Sequence, residues 1–73
     1  MERITTIDQL GAIIRSRRKE LNLTQTALSE LSDCSLTFIS QLENGKQTAE
    51  IAKVLNVISI LGLNVLIEKR GQS

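Results

Sequence analysis

Residues 23–45, LTQTALSELSDCSLTFISQLENG, read as two short helices joined by a tight turn. Thr24 is a good N-cap, because its hydroxyl can accept a hydrogen bond from an unpaired amide of the first turn. Leu28 and Leu31 then recur at helical spacing. Ser32, Asp33 and Cys34 break that pattern, and Asp33 suits a turn because a short polar side chain supports left-handed backbone. Ser35 is placed to cap the second helix, whose apolar residues Phe38, Ile39 and Leu42 share one face. Asn44 and Gly45 form a strong C-terminal stop.

The opposite face of that second helix carries Ser35, Thr37, Ser40 and Gln41, with Leu36 among them. Short hydroxyls, one amide and one aliphatic can lie in a DNA major groove. Gln can pair with adenine, Ser and Thr accept several bases, and Leu can touch a thymine methyl. The plainer reading is that this is the wet side of a small helix. The face alone does not decide between the two.

Seventy-three residues allow one domain with a small core, and Phe38 is the only aromatic residue available to fill it. Such a chain gains much from oligomerisation. The formal net charge is +1, so bulk charge gives no argument for nucleic acid. No apolar run approaches a membrane span and the N-terminus lacks a signal-peptide pattern, so a cytoplasmic protein is expected. Cys34 is alone, which excludes an intramolecular disulfide; at the turn it reads as a small buried residue, with a redox role as the remote alternative. The chain has no histidine, metal constellation, Gly-rich phosphate loop or nucleophile–base pair, and no enzyme or cofactor is expected.

Charge is unevenly placed. Arg15, Arg17, Arg18 and Lys19 cluster, whereas residues 21–45 hold Glu30, Asp33 and Glu43 but no Lys or Arg, and Lys46 follows. Attraction to phosphate would therefore come from neighbours of the second helix and from backbone amides. Arg15 and Arg17 are candidates for phosphate contact, although cations late in a helix also complement its dipole.

Working outward, residues 1–5 form a tail, and Thr6 to Gln9 can make a capping box. The first helix should run to about Leu21, with Ile7, Leu10, Ile13, Ile14 and Leu21 as its apolar stripe. Beyond Lys46, Thr48 is expected to cap another helix in which Ile51, Val54, Leu55, Ile58 and Leu61 face the core. Val57 and Ile60 form a second apolar line, read as a subunit contact; simple exposure is the alternative. Gly62 ends that helix and the domain spanning 6–62.

Residues 63–69 change character. Leu63, Val65 and Ile67 alternate with Asn64, Leu66 and Glu68, a strand pattern. A lone strand leaves its amides and carbonyls unpaired. The simplest remedy is the same segment of a second copy, making Leu63, Val65, Leu66 and Ile67 a dimer contact in a two-stranded ribbon. Residues 70–73 are a polar tail. The expected fold is mainly α, with four to five helices and this C-terminal strand pairing across a homodimer.

The segments 21–25 (LNLTQ), 28–31 (LSEL) and 38–46 (FISQLENGK) resemble the helix-turn-helix of phage-repressor-type (XRE-like) DNA-binding proteins. That resemblance implies base reading by Ser35, Leu36, Thr37, Ser40 and Gln41, and phosphate contacts by Gln25, Asn44 and Lys46. It also implies a structural ion pair between Arg18 and Glu43. The chain departs from the family pattern at Leu36 and Thr37, where relatives carry Gln or Arg, and at Ser32 and Asp33, where an apolar residue and Gly are usual. Operator bases therefore cannot be borrowed from relatives.

With its terminal strand, the chain resembles HipB-like antitoxins. The implied function is a dimeric repressor of its own operon, bound to inverted-repeat double-stranded DNA and partnered by a HipA-like serine/threonine kinase toxin. A stand-alone phage-type repressor, and a toxin-binding module with little DNA binding, remain alternatives.

Overall fold

The computed structural model describes residues 2–47 and 50–71. These form four helices: α1 (Ile7–Glu20), α2 (Gln25–Ser32), α3 (Leu36–Glu43) and α4 (Ile51–Ile60). Side-chain oxygens start the first three. The Thr6 hydroxyl accepts from the Gln9 amide, and the Gln9 side chain reaches back to the Thr6 amide, completing a capping box. Thr24 and Ser35 accept from the amides of Ala27 and Phe38, each at 3.0 Å. α4 begins at Glu50, which makes no side-chain cap bond. The expected cap, Thr48, lies outside the described residues.

All four helices end alike. A residue of positive φ follows the last turn: Asn22 (58°), Asp33 (55°), Gly45 (79°) and Gly62 (72°). In each case its amide and the next one bond back to carbonyls near the end of the helix, as Gly62 does to Ser59 and Leu63 does to Ile58. This pairing satisfies carbonyls that a helix end otherwise leaves open. Asp33 therefore fills a place that commonly takes glycine, and its tolerance of left-handed backbone explains how.

α3 packs against both α1 and α2, and α4 packs against α2. The core consists of Ile14, Leu28, Ile39, Leu42, Val54, Val57, Ile58 and Leu61, with Phe38 and Cys34 half-buried at its edge. Ile7, Leu10 and Ile13 of the α1 stripe are half-buried, while Leu21 is exposed as the residue that closes the helix. Leu31 of α2 is also exposed.

Three expectations for the C-terminal third are corrected. Val57, placed at a subunit contact, is fully buried. Ile51 and Leu55, placed in the core, are 68% and 46% exposed. The i, i+3, i+4, i+7 series that faces inward is 54, 57, 58 and 61, so 51 and 55 fall on its shoulder. Ile60 does stay exposed. Residues 63–69 form no strand, and no strand occurs among the described residues. A strand needs a ladder partner, and the helices of one copy supply none. Leu63 packs on the core, whereas Val65, Leu66 and Ile67 face solvent.

One close approach sets the position of α3. Gly11 of α1 is buried against the end of α3; a Cβ there would lie 2.5 Å from the Leu42 carbonyl oxygen and 2.8 Å from that of Glu43. Both obstacles are backbone and cannot rotate away. Gly11→Ala is expected to destabilise the protein by about 1–3 kcal/mol, the usual range for overpacking. Urea unfolding measures this; an unchanged or raised midpoint would show that α1 and α3 can separate freely.

Candidate nucleic-acid interface

The front of α3 lies opposite Ile39 and Leu42. Leu36 and Thr37 are exposed, Ser40 and Gln41 are half-buried, and Ser35 is exposed with its hydroxyl oxygen engaged as the N-cap. α3 thus carries four of the five expected base-reading residues, and Ser35 is its N-cap. Asn44 and Lys46 are exposed just beyond it.

Behind this front, Arg18 and Glu43 form a two-pronged pair. Arg18 Nε donates to Glu43 Oε2 at 2.6 Å, and its NH2 nitrogen donates to Oε1 at 3.0 Å. The NH1 nitrogen donates to the Leu23 carbonyl at 2.8 Å. The two side chains are only 9% and 2% exposed. A planar guanidinium matched to a carboxylate is strong and directional. The hydrogen bond to Glu43 raises the Arg18 pKa above its ordinary value; burial opposes the shift and Coulombic attraction adds to it. The pair fastens the end of α1 to the end of α3 and, through Leu23, to the chain entering α2.

Gln25 joins this group. Its Nε2 donates to Glu43 Oε1 at 3.1 Å. The residue expected at a phosphate therefore has one amide hydrogen committed to the brace, which leaves its second N–H as the available donor. Arg17, also expected at phosphate, is half-buried: its Nε donates to the Leu61 carbonyl at 2.9 Å, and a 3.8 Å ion pair links it to Glu20. Arg17 closes the end of α4 in this arrangement. Arg15 is exposed.

Two further contacts were not foreseen. Asn56 Nδ2 of α4 donates to the Ser32 carbonyl at the end of α2, 3.0 Å away. Lys53 Nζ lies 5.8 Å from the Phe38 ring centroid. Both tie α4 to the α2–α3 unit. No periodic pattern marks them, because each joins positions distant in sequence. The mid-helix Gly11, by contrast, offers a local signal of close packing on which none of the expectations above was built.

A model of the helix-turn-helix family matches residues 14–66, a span that holds the α2–turn–α3 unit and its supports. The chain belongs to the helix-turn-helix family. It is 44% identical over 71 residues to the uncharacterized HTH-type transcriptional regulator y4mF of Sinorhizobium fredii, covering 97% of this chain and 93% of that protein. It is 41% identical over 61 residues to the ImmF control region 10 kDa protein of Bacillus phage phi105, covering 80% and 67% respectively. Its fold is similar to a chain in the structure of a HipA–HipB–O2–O3 complex, with a TM-score of 0.86 at 18% identity over 96% of this chain and 99% of that one. This helix-turn-helix protein is thus a DNA-binding regulator of the XRE-like type, with a HipB-like fold. Among its described residues no helix is long and apolar enough to cross a membrane, and no cluster of His, Cys, Asp and Glu could hold a metal ion.

Proposed function

We propose that the chain is a homodimeric transcriptional repressor, acting as antitoxin and autoregulator beside a HipA-like serine/threonine kinase. The observation that carries the DNA reading is the α3 front: Leu36, Thr37, Ser40 and Gln41 face outward on a helix locked from behind by the buried Arg18–Glu43 pair. Two such fronts in one dimer would enter successive major grooves on one side of the duplex, so the operator would be an inverted repeat. The dimer reading rests on the exposed Val65, Leu66 and Ile67, together with the exposed Ile60 of α4, which one copy leaves uncovered. The kinase partner rests on the fold likeness to HipB in a complex with HipA.

In this reading bases and phosphates are contacted by different residues. Gln41→Ala is expected to cost about 1–3 kcal/mol at the cognate site with little loss on random DNA. Competition titration with both duplexes checks this; equal losses would take Gln41 off the bases. Lys46→Ala should weaken binding to every sequence and lower the salt slope by about one per protomer. An unchanged slope removes Lys46 from the phosphate contacts, which otherwise comprise Gln25, Asn44 and Arg15.

Two second readings each have an observation in their favour. No Lys or Arg lies between Lys19 and Lys46, which suits a toxin-binding module with little DNA binding. The likeness to a phage control-region protein suits a stand-alone repressor without a toxin. Measuring DNA and kinase binding separately on the same preparation discriminates among the three.

A further inference from the structure

Leu36 is the first residue of α3 and is 47% exposed, while Ile39 and Leu42 of the same helix are 0% and 1% exposed. The core does not need Leu36, and Ser35 already supplies the helix cap. Its neighbours on the open side are Thr37, Ser40 and Gln41, all hydrogen-bonding groups. No Lys or Arg occurs between Lys19 and Lys46, and the guanidinium at the end of α3, that of Arg18, is consumed by Glu43 and the Leu23 carbonyl.

These facts limit which bases the front can read. Guanine is most often recognised by Arg or Lys bonded to its O6 and N7. This surface offers neither. The apolar group that a base pair presents in the major groove is the C5-methyl of thymine, which methylated cytosine shares. We propose that Leu36 recognises the methyl group of a 5-methylpyrimidine in each half-site, a thymine in unmodified DNA. This rests on the reading of α3 as the groove-facing helix. Thr37, Ser40 and Gln41 then hold the adjoining base edges, and the operator is distinguished by methyl contact and adenine pairing rather than by guanine.

The test uses the full chain and a duplex recovered by selection from a random-sequence library. Each thymine of that duplex is replaced by deoxyuridine, one at a time. At one position per half-site, uracil is expected to lower affinity about three- to fivefold, the effect of losing one methyl-sized apolar contact. With Leu36→Ala that step disappears at the same position and persists elsewhere; Leu36→Met retains part of it. Comparing 5-methylcytosine with cytosine at that position assigns the source: tighter binding of 5-methylcytosine than of thymine would make methylated DNA the natural ligand of the same contact. If no thymine-to-uracil exchange changes binding, or if Leu36→Ala loses the same factor on both duplexes, the inference is overturned while the selected sequence still supports a regulator. Recovery of no preferred sequence would overturn the regulator reading and this inference together.

Discussion

Arg18→Ala is expected to lower stability by about 3–5 kcal/mol, because it strands the Glu43 carboxylate, 2% exposed, with the Gln25 amide as its remaining partner. A domain of this length holds roughly 4–11 kcal/mol in total, at about 0.05–0.15 kcal/mol per residue. The substitution therefore removes a large share of the stability, and the fold loosens before any base preference changes. The double variant Arg18→Met, Glu43→Leu should lose less than either single alanine variant, since no buried charge is then left alone. Urea unfolding of the set checks this. A loss below about 1 kcal/mol for Arg18→Ala would mean that the pair is hydrated and behaves as an ordinary surface bridge.

Deletion of residues 64–73 is expected to convert a dimer into a folded or weakened monomer and to reduce operator affinity by about 10²–10⁴-fold. That range is what linking two binding modules contributes without any new contact. The helical core should largely survive, because Val54, Val57, Ile58 and Leu61 precede the cut and Leu63 is retained. Sedimentation before and after truncation reads the first effect, and titration of a selected duplex reads the second. A well-folded dimer after truncation would move the subunit contact away from Val65, Leu66 and Ile67, with the exposed Ile51–Leu55 shoulder of α4 as the next surface to test.

Local chemistry made much of this fold legible. Thr6, Thr24 and Ser35 announce helix starts because few other residues can serve an open amide there, and Gly45 and Gly62 announce stops because positive φ costs other residues more. The polar front of α3 could be placed because Ile39 and Leu42 fix the inward direction of so short a helix. α4 was harder. Seven of its ten residues are aliphatic, from Ile51 through Ile60, so periodicity has little polar contrast to work with and the inward face was set one shoulder away. Val57 and Ile51 consequently exchanged roles. The 63–69 segment shows a different limit: its alternating pattern reports a preference for pairing, but whether a ladder forms depends on a second strand, and the described residues of one copy supply none.

The candidate site residues divide in the same way. Arg18 and Glu43 could be paired from the family resemblance alone, since 25 residues separate them and no spacing rule joins them. The same resemblance put Gln25 at phosphate and the basic cluster of α1 put Arg17 there, and the folded chain gives each a prior partner, Glu43 and the Leu61 carbonyl. Those bonds turn both side chains partly into supports. Exposed Arg15 and Lys46 keep more freedom to neutralise phosphate.

In the proposed dimer two copies, joined through their C-terminal segments, hold two α3 helices at the spacing of one duplex face. Hydroxyl-radical footprinting of the full chain on the DNA upstream of its own gene tests this arrangement. Two protected patches are expected on one side of the helix, about 10 base pairs or a multiple of that apart, centred on an inverted repeat. One isolated patch, or none at concentrations that saturate the dimer, would contradict it.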